Sequence, residues 1–309
     1  MSDLHIVVGA GPTGTTVAEQ LAAAGHRVRI LTRSGSGPEH PLVDRRRVDV
    51  SQPQQLSAQF DGAVAVYQCA GGSRYATKVW AAELPAVDKA VMDEAGKSGT
   101  VVVFAEGLYS YGRVDGPITE DLPRPGGSGK AGVRAQLLRA RELHATPTVS
   151  VAASDFFGPH VRSSLAGEQL FVPILTGQTV KVFGKLDLPH SFTYLPDLAT
   201  AMIRAAADQS VWNSVIHAPT APAPTQRQVI DAIAAAAGRP APKVLAAPVL
   251  MMRLMGLTNE LMRELAEIGY QVDRPFVLDS TATEHRLGLR PTPLDEAVAA
   301  TVAWWKTQL

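Results

Sequence analysis

A single cysteine, Cys69, stands among 309 residues, so no internal disulfide framework exists and the chain fits a reducing compartment. Net charge is missing too: 29 acidic side chains balance 29 basic ones, and no overall field draws the protein to nucleic acid or to an anionic membrane. Any anion site must therefore be local. The sequence opens Met1-Ser2-Asp3-Leu4-His5 and runs straight into a strand-like segment, without the basic region, apolar stretch and cleavage site of a signal peptide. A cytoplasmic location is the expectation, with neither nucleic acid nor membrane as partner. The most lipid-like run, Ala246 to Leu257, is too short to span a bilayer and is broken by Pro248 and Arg253. Its methionines, Met251, Met252 and Met255, read as helix core or pocket lining rather than as a membrane anchor.

Several catalytic signatures are absent as well. The eight histidines are scattered, with no HExxH and no cysteine pair, so no metal site is expected. No G-x-S-x-G elbow supports a nucleophilic hydrolase. Gly96-Lys97-Ser98 imitates the end of a P-loop but lacks the leading glycine and precedes a strand instead of following one. Internal repeats, long charge blocks and low-complexity tails are missing too.

What is present is a regular alternation of short apolar runs with amphipathic helical stretches. Leu4 to Val8, Arg27 to Leu31, Ala63 to Gln68, Thr100 to Phe104 and Thr148 to Ala152 read as strands, and Thr13 to Ala24 as the first helix. Such alternation is the sequence form of βαβ units around a parallel sheet, whose strands are apolar throughout because helices cover both faces. Val79 to Ala95 reads as a long helix interrupted or kinked at Pro85. Gly132 to His144 reads as another, entered through Pro125-Gly126-Gly127-Ser128-Gly129. Asp197 is expected to cap a helix running to about Ala207, and Ser214 to His217 to return to the sheet. After a proline-rich hinge from Ala218 to Pro224, Thr225 and Gln228 stand at capping-box spacing before an alanine-rich helix that stops at Gly238. The predicted class is α/β: a Rossmann-type doubly wound parallel sheet with a smaller, mainly helical substrate lobe. Residues 1–154 and about 190–220 are assigned to the dinucleotide-binding domain, and about 155–189 and 221–309 to the lobe.

The strongest motif is Gly9-Ala10-Gly11-Pro12-Thr13-Gly14, directly after an apolar strand and before a helix. In this pattern the first glycine permits a tight turn, the second lets backbone approach a pyrophosphate, and the third allows close helix packing. The phosphates then face free N–H groups at the positive end of the helix. Cofactor choice falls to the end of the second strand, where a carboxylate would select NAD(H). Here stand Thr32, Arg33 and Ser34, a guanidinium and two hydroxyls that suit a 2′-phosphate, so NADP is expected over NAD. Arg45, Arg46 and Arg47 are candidates to assist, although such a run is more often a solvated face.

With these residues the chain resembles the extended and atypical short-chain dehydrogenase/reductase family, the NAD-dependent epimerase/dehydratase group. Asp49-Val50 is similar to the family's acidic pair at the adenine, and Cys69-Ala70-Gly71-Gly72 sits where its Ala/Gly motif, here Ala70 and Gly71, lies under the cofactor. Val101 to Gly112 resembles the segment that carries the catalytic serine. Ser154-Asp155-Phe156-Phe157-Gly158-Pro159 resembles the turn into the substrate lobe, and Phe192 to Asp197 the later helix-capping segment.

The resemblance breaks at the catalytic residues. Gly107, preceded by Glu106, holds the serine position; Lys130 matches the lysine; and no tyrosine lies between Gly112 and His144. The glycine spacing is that of atypical members, and Ala152 replaces the arginine often found before the Gly-Pro turn. Tyr109 and Lys130 are therefore the catalytic candidates. Tyr109 either offers a phenol to substrate or is a packed aromatic; Tyr111 is expected to pack. Glu106 acts as an acid or base, or pairs with Lys130 or Arg134. Asp155, His160 and His190 fall in segments that the resemblance places around the cleft, where such groups are more often caps or surface residues. The resemblance also implies a homodimer pairing the two long helices. Two functions remain: an NADP(H)-dependent oxidoreductase or epimerase/dehydratase-like enzyme for a small carbonyl or hydroxyl substrate, and a non-catalytic NADP(H)-sensing protein.

Overall fold

The computed structural model describes residues 3–56 and 59–309; Met1 and Ser2 of the opening segment lie outside them. In chain order, β1 (Leu4–Val8) leads through α1 (Pro12–Ala23) to β2 (Arg27–Thr32), β3 (Val43–Arg47) and the single turn α2 (Pro53–Leu56). Then follow β4 (Ala63–Gln68), α3 (Thr77–Lys97), β5 (Val101–Gly107), α4 (Gly129–Glu142) and β6 (Thr148–Ala153). The next stretch holds β7 (Asp155–Phe157), α5 (Glu168–Thr176), β8 (Val180–Phe183), β9 (Phe192–Tyr194), α6 (Leu195–Ala207) and β10 (Ser214–His217). The chain ends with α7 (Gln226–Ala237), β11 (Val244–Ala247), α8 (Val249–Met255), α9 (Glu260–Glu267), α10 (Tyr270–Asp273), α11 (Thr281–Leu287) and α12 (Leu294–Lys306).

Seven strands form one parallel sheet in the order β10-β6-β5-β4-β1-β2-β3. The order reverses at β1, so the crevice outside the carboxyl ends of β1 and β4 is the topological switch point where such sheets take their ligands. Every residue of β1 and β6 is buried, as central strands covered on both faces require. One core cluster joins Val7, Val17, Leu21 and Tyr67 to α6; a second, with Ile6, Val8, Val66 and Phe104, underlies α3. A separate core gathers Phe157, Phe171, Val180, Ile230, Val298 and Trp305 from the later elements.

Several local expectations change. The edge strand β3 reads Val43-Asp44-Arg45-Arg46-Arg47 and is largely exposed; its charge hides it from any search for apolar runs and blunts an open sheet edge. Arg45 pairs with Glu39 at 3.4 Å and Arg46 with Asp44 at 2.8 Å, which leaves Arg47, in register with Thr32, as the member of that run beside the second-strand end. Helix α3 runs through Pro85 without a break, and α4 begins at Gly129, earlier than expected. Asp197 lies in the first turn of α6 and accepts from the Thr292 N–H and hydroxyl at 2.7 and 2.8 Å instead of capping its own helix. The Thr225–Gln228 capping box is present, and Gly238 ends α7 in a left-handed conformation. Of the three methionines expected inside, only Met252 is buried; Met251 and Met255 are exposed.

One buried group gives the fold a pH dependence. Burial, reinforced by neighbouring His26 and opposed by Asp3, lowers the His5 pKa from 6.5 to about 4. His5 is thus uncharged in the fold, and its contribution is complete above pH 6.5 and lost as pH falls towards 4. The shift corresponds to about 2–4 kcal/mol over that window. His217 is shifted the same way, chiefly by burial. Urea unfolding at pH 7.5 and pH 5 should show the loss, and His5→Gln should flatten the slope; an unchanged slope in the variant would remove His5 from the account.

Candidate functional site

The turn after β1 is shaped as a cradle. Gly9 has φ +94°, and a Cβ there would sit 2.9 Å from the Ala70 backbone. A Cβ on Gly14 would fall 1.9 Å from the Gly9 carbonyl oxygen, so helix and strand touch through bare backbone. A Cβ on Gly11 meets nothing within 4 Å, so the space above it is open. Gly11 caps α1 without a side chain, Pro12 opens the helix, and the first turn has no acidic residue, which leaves the positive helix end to an anion. Thr13 is buried beside it. Cys69 packs beneath Gly14, and burial pushes its thiol up to about 12.

At the end of β2, Thr32 donates to the Ser36 carbonyl at 3.1 Å, and the Ser34 and Ser36 hydroxyls lie 2.7 Å apart. Arg33 is exposed, and its charge is felt by both Asp49 and Glu83. Asp49 accepts from the Ser51 hydroxyl at 2.7 Å, a bond that, aided by the Ser51 N–H and Arg33, holds its carboxyl below the usual range. Val50 packs half-buried on the core under α3, and so does Ala70, whose N–H is fixed by Gln68 at 3.2 Å. Gly71 is exposed in the next loop, with room around it.

A second cluster stands where β5 ends. The space beside Gly107 is filled by a ring: a Cβ on Gly107 would lie 2.8 Å from Tyr109, which stacks edge-on against Trp80 at 5.4 Å. The Tyr109 hydroxyl lies 3.4 Å from that of Tyr75, and burial pushes the Tyr109 phenol up to about 12. Tyr75 is pushed up by burial as well, then by Tyr109, Asp155 and Glu267, so these groups surround one spot. Tyr109 lines a cavity of about 190 Å³ with Gly112, Arg113, Ser128, Glu267 and Tyr270. A larger cavity, about 540 Å³, lies between α4 and the β6–β10 edge and includes none of the glycine-turn residues, so its size does not make it the reactive site.

Glu106 resolves towards pairing. It is buried between Arg134 at 3.0 Å and Arg141 at 2.7 Å, and it accepts from the Gly107 N–H at 2.9 Å. Burial alone would raise its pKa, but the two guanidiniums hold it below the carboxylate range, so it is a fixed anion and not a proton donor. Lys130 is not its partner. The Lys130 ammonium is fully buried and donates to the Glu264 carboxylate, to the Glu267 carboxylate at 3.0 Å and to the Glu264 carbonyl at 3.0 Å. It lies 4.9 Å above the Tyr75 ring. Glu264 also accepts from the Thr77 N–H at 2.9 Å and Glu267 from the Lys130 N–H at 2.6 Å, so α9 caps the amino ends of both α3 and α4.

The remaining sequence candidates separate. His160 bonds Glu19 at 3.1 Å on the surface, and Tyr111 packs, bonded to His217 at 2.8 Å and Arg124 at 3.0 Å. Asp155 and His190 come together at 2.8 Å, although 35 residues apart. The other His190 nitrogen, Nδ1, faces the Gln271 carbonyl at 3.0 Å. Among the described residues no group of three or more His, Cys, Asp or Glu is placed to hold a metal.

A sequence profile of the NAD-dependent epimerase/dehydratase family matches residues 5–214, well over half of the chain. The chain belongs to that family. Its fold is shared by several solved proteins. The Bordetella bronchiseptica enzyme WbmH, in complex with NAD+, superposes with a TM-score of 0.77 at 18% identity over 99% of each chain. UDP-glucose 4-epimerase of Thermotoga maritima, with UDP-glucose, gives 0.78 at 17% over 99% of each chain. DesIV, a dTDP-glucose 4,6-dehydratase of Streptomyces venezuelae with NAD bound, gives 0.78 at 18% over 98% of this chain and 97% of its own. A search of the curated proteins found no sequence match. Tyr75, Trp80, Glu264 and Glu267 were not legible as site residues; the two glutamates reach Lys130 from more than 130 positions away.

Proposed function

We propose that this chain is an NADP(H)-dependent oxidoreductase or epimerase/dehydratase-like enzyme acting on a small carbonyl or hydroxyl substrate. The glycine cradle carries the reading: a bare helix end open above Gly11 fits a pyrophosphate. Gly9, Gly11, Pro12, Thr13 and Gly14 would hold it, Asp49, Val50, Ala70 and Gly71 the adenosine side, and Thr32, Arg33 and Ser34 a 2′-phosphate, with Arg47 beside them. A bound nicotinamide supplies or accepts hydride; the protein must then hold or move the matching proton. Tyr109 stands at the small cavity with a phenol, and the hydrogen-bonded pair Asp155–His190 is a second candidate to exchange a proton with substrate. Ser154, buried with its hydroxyl unpartnered among the described residues, leaves a polar group beside Asp155 for a ligand. Lys130 and the ion pairs around it position the ring of Tyr75. The cytoplasmic location and a homodimer through α3 and α4 belong to the same reading.

One observation favours the sensing alternative: the lysine is already saturated by Glu264 and Glu267. Incubation with NADPH and a carbonyl panel, followed at the reduced-nicotinamide band, separates the two. Turnover that Tyr109→Phe or Asp155→Asn lowers by about 10²-fold or more supports catalysis; tight binding with no turnover on any compound favours sensing. Arg33→Ala should weaken NADPH by about tenfold or more, the worth of one charge-assisted bond. Equal loss for NADH would refute the role given to Arg33.

A further inference from the structure

Seven of the ten large hydrophobic side chains exposed among the described residues lie between Leu245 and Leu261. Leu250, Met251, Leu254 and Met255 form one stripe on α8, spaced as a helical face, while Val249 and Met252 behind them are buried. Leu257 and Leu261 extend the stripe onto the turn and α9. The two helices touch where α8 ends, since a Cβ on Gly256 would lie 2.8 Å from the Arg263 backbone, and these side chains stay exposed with the helices in contact. Glu260 ties α9 to Arg74 and Lys78 at 3.2 Å each, and Glu264 and Glu267 anchor it to α3 and α4. The hairpin is thus anchored with a cluster of exposed apolar side chains, a concentration that soluble surfaces rarely carry without a use.

We propose that this face docks on an anionic lipid bilayer. Charge decides the occupant. From Lys243 to Arg263 the exposed charges are Lys243, Arg253 and Arg263, and the one acidic residue, Glu260, is turned to Arg74 and Lys78. A second copy meeting this face about a two-fold axis would bring like charges together. An anionic surface accepts both the leucines and the cations, as interfacial helices do. The balanced total charge of the chain does not oppose this, because attraction near a bilayer acts within about a Debye length of the patch.

The test is cosedimentation of the full chain with vesicles of phosphatidylcholine and phosphatidylglycerol, beside vesicles of phosphatidylcholine alone. Binding to the anionic vesicles is expected, weaker by about tenfold or more without phosphatidylglycerol. It should be lost in Leu250→Ser/Leu254→Ser, whose exposed positions leave the fold intact by circular dichroism. Binding that survives the double substitution, or no binding to either vesicle, overturns the proposal. A dimer in solution that dissociates on the same double substitution overturns it in favour of a second copy.

Discussion

Gly11→Val should leave the protein folded and abolish its binding of both NADPH and NADH. The two halves of that expectation come from one geometry. A Cβ at Gly11 meets no atom of the protein within 4 Å, so the new side chain costs the fold little. It occupies the space in front of the first free amides of α1, which in this family's turn belongs to a pyrophosphate. Losing two charge-assisted bonds there, at about 1.5–3 kcal/mol each, weakens binding by about 10²-fold or more. Gly14→Val is the contrast, since its Cβ would fall 1.9 Å from the Gly9 carbonyl oxygen. That variant should lose the fold itself, with a melting temperature far below the parent. Calorimetry on a folded Gly11→Val that still registers either nucleotide with parental affinity would refute the cradle, and the enzymatic and sensing readings would fall together.

The difference between these glycines shows what a sequence can carry. The G-x-G-x-x-G spacing, and its position between an apolar strand and a helix, are local facts, and the sheet, its order and its switch point follow from the repeated alternation. The charged edge strand β3 escaped because the signal for a strand is apolar content, and an edge needs the opposite. Asp197 misled because an acidic residue at a helix start is commonly a cap, and here a loop nearly 100 residues later, at Thr292, takes the carboxylate. At the reactive end the gaps are all of this long-range kind. Lys130 was legible, but not that a short helix brought from the far end of the chain would capture it. The Asp155–His190 pair was visible only as two separate residues; their meeting depends on β7 and β9 lying side by side in register. Tyr109 could be read both as a reactive phenol and as a packed ring; in three dimensions its ring packs against Gly107 and Trp80 while the residue also lines the small cavity.

Glu106→Ala should cost the protein about 3–5 kcal/mol, a large share of the roughly 5–15 kcal/mol that holds a typical domain together. The carboxylate joins two buried guanidiniums: Arg141, which also holds Asp88 at 2.7 Å and lies 3.8 Å over the Phe104 ring, and Arg134, which stacks 4.5 Å over Trp80. Without it Arg141 keeps Asp88, while Arg134, its side chain only 14% exposed, is left without an ion-pair partner, and an uncompensated charge in a low-dielectric interior is what makes such truncations expensive. The melting temperature should fall by roughly 10 °C. Glu106→Gln keeps the side-chain volume and an acceptor for one guanidinium, but turns an NH2 towards the other and removes the charge, so its loss should be intermediate. The two variants also separate structure from chemistry. Because Glu106 is held as an anion by Arg134 and Arg141, it donates no proton, and either variant, assayed well below its melting temperature, should bind NADPH with parental affinity. Parental stability in Glu106→Ala would show that the network carries no net energy; lost nucleotide binding in a still-folded Glu106→Gln would move this carboxylate from the scaffold into the site.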